Sequence, residues 1–332
     1  MELLHHWNHY TYTCSSADIG VNALMRQCPP ELGFKYPFLL RAVLALSALH
    51  MSSLQVAKKE YYATYAAKLH RLATEEGPPL STITAENCAA FQLFGAMNCL
   101  YSFSPARLDH DSDGTGESLP SKQFTVLHKL RAVMYAALGI LYTSVVAPFI
   151  HHGDKRHVML IAAVDARTQC KAFDGLWWMI SEDEKDPAKL RAYSDTISIF
   201  QATWVVVNNS LPGELESADL LLGLYNVPVE YIALLKENDH AALVIFAYAG
   251  VALKALECYW WLQGRSVHLV SEIWKLLDEK HRAWMEWPLQ VTGWTPPADS
   301  STAISTAVFT TFSKGTSSTS ADIAPYPDIL EY

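Results

Sequence analysis

Histidines supply the first spacing in this sequence that could do chemistry. His5 and His9 stand four apart, so on a helix their imidazoles share one face, as a pair of metal ligands would. His151, His152 and His157 form a second group. The first group has no evident acidic or cysteine third ligand nearby, H-E-x-x-H is absent, and neither group is expected to be a metal site. His151 and His152 follow an apolar segment, where a helix is expected to end and an imidazolium would complement the helix dipole. Bordering that segment, they are also the histidines better placed to hydrogen-bond a ligand, His151 above all. Asp109 to Gly114, DHDSDG, starts like a calcium-binding loop, but the twelfth position, where a bidentate glutamate is needed, is Pro120. It reads as an acidic surface loop.

The other catalytic signatures are missing. No D-D-x-x-D occurs, and its nearest approach, Asp183-Glu184-Lys185-Asp186, falls in a helix junction. There is no G-x-S-x-G, no Walker loop and no dinucleotide fingerprint, only a stray G-x-G within residues 112–118. No cofactor is expected, and any activity would run without metal, nucleotide or nucleophile. Cys14, Cys28, Cys88, Cys99, Cys170 and Cys258 form no C-x-x-C pair and read as small reduced hydrophobes. The first residues, MELLHHWNHYTYTC, lack the basic start and unbroken apolar run of a signal peptide, so an intracellular protein is expected. The sequon at 208–210 is then expected to stay unmodified. With a net charge of −9 and no basic run longer than two residues, direct nucleic-acid binding is disfavoured.

What remains is aromatic. Tyr101, Tyr135, Tyr142, Trp177, Trp178 and Trp204, with Phe103, lie in or beside the most apolar segments. Buried Tyr and Trp need partners for their polar ends, and several together in a large helical core mark a cavity for a hydrophobic molecule. These six, with His151, are the expected ligand-binding residues. Five of the ten tryptophans crowd into residues 259–290, where they are expected to close the core rather than do chemistry.

The elements that must position these residues read as helices almost throughout. Tyr61, Tyr65, Leu69 and Leu72 recur at helical steps, as do Leu190, Tyr193, Ile197, Phe200, Trp204 and Val207. Asp186-Pro187 supplies an N-cap with proline at the first helical position. Val270, Ile273, Trp274 and Leu277 form one face of a helix whose wet face carries His268, Glu272, Lys275 and Glu279. Residues 38–54 and 241–264 are apolar on every side, which places them centrally. Residues 132–150 carry no charge, but Thr143, Ser144 and Pro148 interrupt them and no second span follows. We read them as a buried central helix rather than a membrane span. Residues 107–121 read as a surface loop and 181–186 as an acidic turn. The expected fold is an all-α multi-helix bundle with a central buried layer and an apolar pocket. It spans residues 1–294 as one domain, followed by a Ser/Thr/Pro-rich tail, 295–332, expected to be mostly disordered, whose PYPDILEY could dock back.

Several blocks carry a resemblance. They are Trp260-Trp261, Gly264, Ser271-Glu272-Ile273, Leu277-Asp278, Trp284 and Glu286-Trp287-Pro288-Leu289, then KYPFLLRAVLALSALHM at 35–51, MELLHHW at 1–7 and TAENCAAFQLF at 84–94. Together they resemble the effector domain of fungal zinc-cluster transcription factors of the sterol uptake control type. The resemblance implies an all-helical domain that lies downstream of a DNA-binding module and whose pocket senses sterol-like lipids in some members. That module holds six cysteines with two C-x-x-C pairs, which this sequence lacks, so DNA reading by the family's means is not expected. Two functions follow. One is a regulator-like protein that binds a sterol- or terpenoid-like molecule and acts through partners, as a homodimer or as a heterodimer with a full-length relative, in the nucleus. The alternative is a cytoplasmic, cofactor-free enzyme of fungal specialised metabolism, an isomerase or cyclase such as a Diels–Alderase of terpenoid or polyketide biosynthesis.

Overall fold

Two helices without a polar face organise the molecule, α3 (Pro37–Leu54) and α12 (His240–Ala255). The structure, a computed structural model, describes residues 1–14, 16–104, 119–166, 170–211 and 213–297. Around α3 lie α1 (Glu2–His9), α2 (Ile19–Lys35), α4 (Lys59–Glu76) and α5 (Cys88–Phe103). Around α12 lie α9 (Pro187–Asn208), α11 (Val229–Lys236), α13 (Arg265–Leu276), α14 (Glu279–Arg282) and α15 (Glu286–Thr292), with α8 (Lys171–Asp183) against α9. The remaining helices, α6 (Leu119–Leu141), α7 (Ala147–Asp165) and α10 (Ser217–Tyr225), join the two groups. Among the described residues every regular element is helical, so the fold is all-α, as the periodicity predicts.

Burial follows the sequence logic at the centre. Every residue of α12 from Ala242 to Leu253 is buried, and so are twelve residues of α3. Among the described residues α3 is the single helix that by length and hydropathy could cross a membrane, and 67% of it is buried inside the bundle, as a core helix would be. The tryptophan-rich stretch seals the lower core: Trp261, Trp274 and Trp284 are buried, and Trp260 stacks on His50 with 4.5 Å between ring centroids. Asp186 caps α9 by accepting from the Ala188 amide at 2.8 Å.

Several boundaries differ from the sequence reading. Residues 132–150 are not one buried helix. The α6 helix is broken at Ala137 (φ −136°) and ends at Leu141, and Tyr135, Leu138, Ile140 and Val145 are exposed. The hydroxyls of Thr143 and Ser144 donate back to the carbonyls of Ile140 and Leu141, 3.1 and 2.9 Å away, and Pro148 restarts the chain in the first turn of α7. The second apolar segment also stops short: α12 ends at Ala255, and Gly264, at φ +75°, turns the chain into α13. In α4 the buried face is Tyr62, Ala63, Ala66, Leu69 and Ala73, whereas Tyr61 and Tyr65 face outward. Small side chains win there because α4 lies along α3, and alanines let the two backbones approach. The loop expected at 107–121 gives way to helix by Leu119. Its remainder, with Asp109 to Gly114, lies outside the described residues, as do residues 298–332 of the expected tail.

The helices that frame the junction are packed without slack. A Cβ on Gly223 of α10 would lie 2.3 Å from Thr203 Oγ1 and 3.3 Å from its Cβ, both on α9. Thr203 Oγ1 is itself committed to the Ile199 carbonyl. Gly223→Ala is expected to cost about 1–3 kcal/mol in urea unfolding, the usual penalty of overpacking.

Candidate functional site: an apolar cavity between α5, α6, α7 and α10

The break after α6 sets the site. The chain ends α6 at Leu141 and starts α7 at Ala147, and with α5 and α10 these two helices enclose a cavity of about 340 Å³. Its walls are apolar: Leu130, Met134 and Leu138 from α6, Ala96 and Leu100 from α5, and Leu221 from α10. Met25 of α2 and Ile150 of α7 close the inner end. The volume lies within the range of small-molecule sites, about 300–1,000 Å³.

A few polar groups interrupt this surface. Gln92, 3% exposed on α5, presents a buried Oε1 with no hydrogen-bond partner. His157 of α7 lines the cavity and leaves its Nε2 unpartnered. Tyr142 and Asp154 stand together at the rim, where the Asp154 carboxylate beside the phenol raises the Tyr142 pKa. Tyr135 accepts a hydrogen bond from Arg131 at 3.1 Å, and that guanidinium also lies over the Tyr225 ring, 5.1 Å from its centroid. Burial lifts the Tyr225 phenol above its usual pKa. An acceptor left unpaired against an apolar guest costs about 1–3 kcal/mol, so an occupant that donates to Gln92 Oε1 is favoured over one that does not.

Behind the wall, charges hold α7 and α10 in register. Glu216, at the N-cap of α10 and 4% exposed, accepts from Ser16 Oγ at 2.9 Å and from the Ala17 amide at 3.1 Å. His152 lies between two carboxylates, 3.5 Å from Glu216 Oε2 and 3.8 Å from Asp18 Oδ2. Arg156 donates Nε to Asp219 Oδ1 at 2.8 Å and Nη2 to Oδ2. Burial raises the Asp219 pKa, and Arg156 pulls it back. Asp18 also caps α2 through the Val21 amide, which lowers its own pKa. His151 and His152 therefore sit in the first turns of α7, not at a helix C-terminus. The partner of His152 is this acidic pair rather than a helix dipole.

The residues singled out by sequence fall in different places. Tyr135 and Tyr142 line the cavity, and His151, exposed, lies beside Tyr142 with ring centroids 5.3 Å apart. Tyr101 is buried and stacks on His70 at 3.8 Å. Trp204 meets Trp287 edge-on at 5.7 Å. Trp177 is half-buried against the core, and Trp178 is 66% exposed. None of these last four lines the cavity. Sequence reasoning passed over Gln92 and Asp154, took His152 with His151 as a candidate to hydrogen-bond a ligand, and weighed His157 only within the second histidine group. Gln92 carried a readable signal, being the polar residue within CAAFQLF, the apolar first half of its helix.

Comparison with known proteins adds one relative. Over 105 residues the chain is 30% identical to Sterol uptake control protein 2 of Saccharomyces cerevisiae. The relationship is distant. The match covers 31% of this chain and 12% of that protein, so it supports kinship with a fungal protein and does not place the chain in a family. No protein-family model matches the chain, and no solved structure matches it at a significant level.

Proposed function

We propose that the chain binds an apolar small molecule of the sterol or terpenoid class in the α5–α6–α7–α10 cavity and acts as an intracellular regulator through partners that read the resulting helix packing. The observation that carries this reading is the cavity itself, a leucine-rich space with one unpartnered amide oxygen, Gln92 Oε1, on its wall. Such a site matches a rigid hydrocarbon body bearing a single hydroxyl: the walls take the apolar area and Gln92 takes the donor. The distant likeness to a protein named for sterol uptake control agrees with that ligand class. Because the chain corresponds to 12% of the relative, nothing of that protein's wider activity is carried over.

The test is equilibrium binding of a fluorescent sterol to the purified chain, with native mass spectrometry of the complex. Ala96→Phe, which projects a ring into the cavity, should weaken binding at least tenfold. Gln92→Leu should weaken it about tenfold, about 1.4 kcal/mol for a lost hydrogen bond. Unchanged affinity in both variants, each with a normal thermal melt, would overturn the assignment of the cavity. Recovery of a bound terpenoid or polyketide as an isomer of equal mass but different retention would replace the regulator with the cofactor-free isomerase.

A further inference from the structure

Away from the residues that line this cavity, His240 meets Asp278 and His281. His240 opens α12, Asp278 is the N-cap of α14, and His281 lies one turn into α14. The two oxygens of Asp278 each face an imidazole: Oδ2 is 2.8 Å from His240 Nδ1, and Oδ1 is 2.7 Å from His281 Nδ1. The ligand atoms of the three residues all lie within 4.8 Å of one another. We propose that His240, Asp278 and His281 form a binding site for a divalent transition metal of the zinc class, which ties the α13–α14 junction to the start of α12.

Two independent features support a metal rather than a simple pair of hydrogen bonds. The first is the donor set. Two imidazoles and one carboxylate suit zinc and its neighbours in the series, and three protein ligands leave a further position for water. A metal about 2.0–2.2 Å from each ligand keeps tetrahedral ligand atoms about 3.3 Å apart. The carboxylate and the rings would therefore part by a few tenths of an ångström, and the two imidazoles would draw together. The second is the surrounding of His281. Its other nitrogen, Nε2, faces Asp183 Oδ2 at 3.8 Å, and its ring packs edge-on against Trp284 at 4.6 Å. Without metal, Nδ1 is the nitrogen that donates to Asp278; a metal on Nδ1 would move the ring proton to Nε2, towards the Asp183 carboxylate, the outer-shell arrangement common to metal-bound histidines. Asp278 is also fixed before any metal arrives, because its Oδ1 accepts the His281 amide at 2.9 Å. The backbone thus places the carboxylate and one imidazole together.

The experiment uses the untagged full chain, stripped with a chelator and titrated with Co²⁺ and then Zn²⁺. The expected result is one saturable equivalent of Co²⁺ with the visible absorption of a four- or five-coordinate complex, displaced by one equivalent of Zn²⁺. His240→Gln should weaken Zn²⁺ at least tenfold. Asp278→Asn, which retains a capping side chain, should do the same without loss of the helical circular dichroism. His5→Gln with His9→Gln removes a second close histidine pair, whose rings lie 4.1 Å apart, and should leave binding unchanged. No saturable binding would overturn the proposal. So would binding that survives His240→Gln and Asp278→Asn but is lost from the His5/His9 variant. Should either single variant melt below the assay temperature, the other decides.

Discussion

Arg156→Leu is expected to cost about 3–5 kcal/mol of stability at pH 7, seen as a fall in the midpoint of urea unfolding. The guanidinium is the only cation that donates hydrogen bonds to Asp219 among the described residues, and Asp219 is 2% exposed. Removing one member of a buried pair leaves the other charge without compensation, which is far more costly than the pair itself was worth. The pH dependence gives a second reading. Burial already raises the folded Asp219 pKa above 3.8, against the opposing pull of Arg156. With the arginine gone, it rises further. A carboxyl with a raised folded pKa contributes stability that is fully present below the unfolded pKa and is lost as pH rises through the folded value. The deficit of Arg156→Leu relative to the parent should therefore shrink between pH 7 and pH 4.5. An equal deficit at both values would mean that Asp219 stays ionised in the variant, held by another cation.

Trp274→Ala is expected to cost a similar 3–5 kcal/mol, the range for truncating a buried aromatic. Trp274 is 6% exposed. Trp294 packs against its ring at a centroid distance of 6.0 Å. Arg282 covers its face at 5.3 Å and donates Nε to the Trp274 carbonyl at 3.2 Å. The substitution removes the core contact, the aromatic pair and the cation–π contact together, while the carbonyl bond to Arg282 can persist. Thermal unfolding followed by circular dichroism measures the effect, and an unchanged melting temperature would remove Trp274 from the core.

How far the fold could be read depended on which physical signal each segment carried. The α3 and α12 helices were legible as central because apolar residues on all sides of a helix have nowhere else to go. The α9 helix was legible at both levels, through its Asp186 cap and through the buried run of Tyr193, Ile197, Phe200 and Val207. Residues 132–150 misled because low charge reports burial on average and is silent about where a helix stops. The stop came from Thr143, Ser144 and Pro148, each of which had been noticed only as an objection to a membrane span. Tyr61, Tyr65, Leu69 and Leu72 marked α4 as a helix but not its buried face, because periodicity fits two neighbouring faces equally, and the alanines that decide between them signal close packing only once α3 is known to lie alongside.

The site was less legible than the fold for a structural reason. Its walls come from α2, α5, α6, α7 and α10, so no window of sequence contains it. Aromatic content pointed to Tyr135 and Tyr142, yet it pointed equally to Trp178, which faces solvent, and to Tyr101, which is committed to His70. The proposed metal site is also split along the chain, with His240 lying 38 positions before Asp278. Only the N-cap relation between Asp278 and His281 is local enough for spacing to show.

The interrupted α6–α7 wall also divides the molecule by resistance to opening. On the α5 side of the cavity stand residues buried almost without exception, whereas α7 carries Val158, Met159 and Ile161 in solvent and buries just Ile150 and Leu160. Little apolar area holds that wall down, and its attachment rests on the Arg156–Asp219 pair, so it belongs below α3 and α12 in the range of local unfolding free energies. The ligand we propose would then enter by release of α7 rather than of the central helices. Once inside, it would supply the inner face of α7 with the contacts that its own sequence withholds, and occupancy and the ordering of that single helix would become one equilibrium.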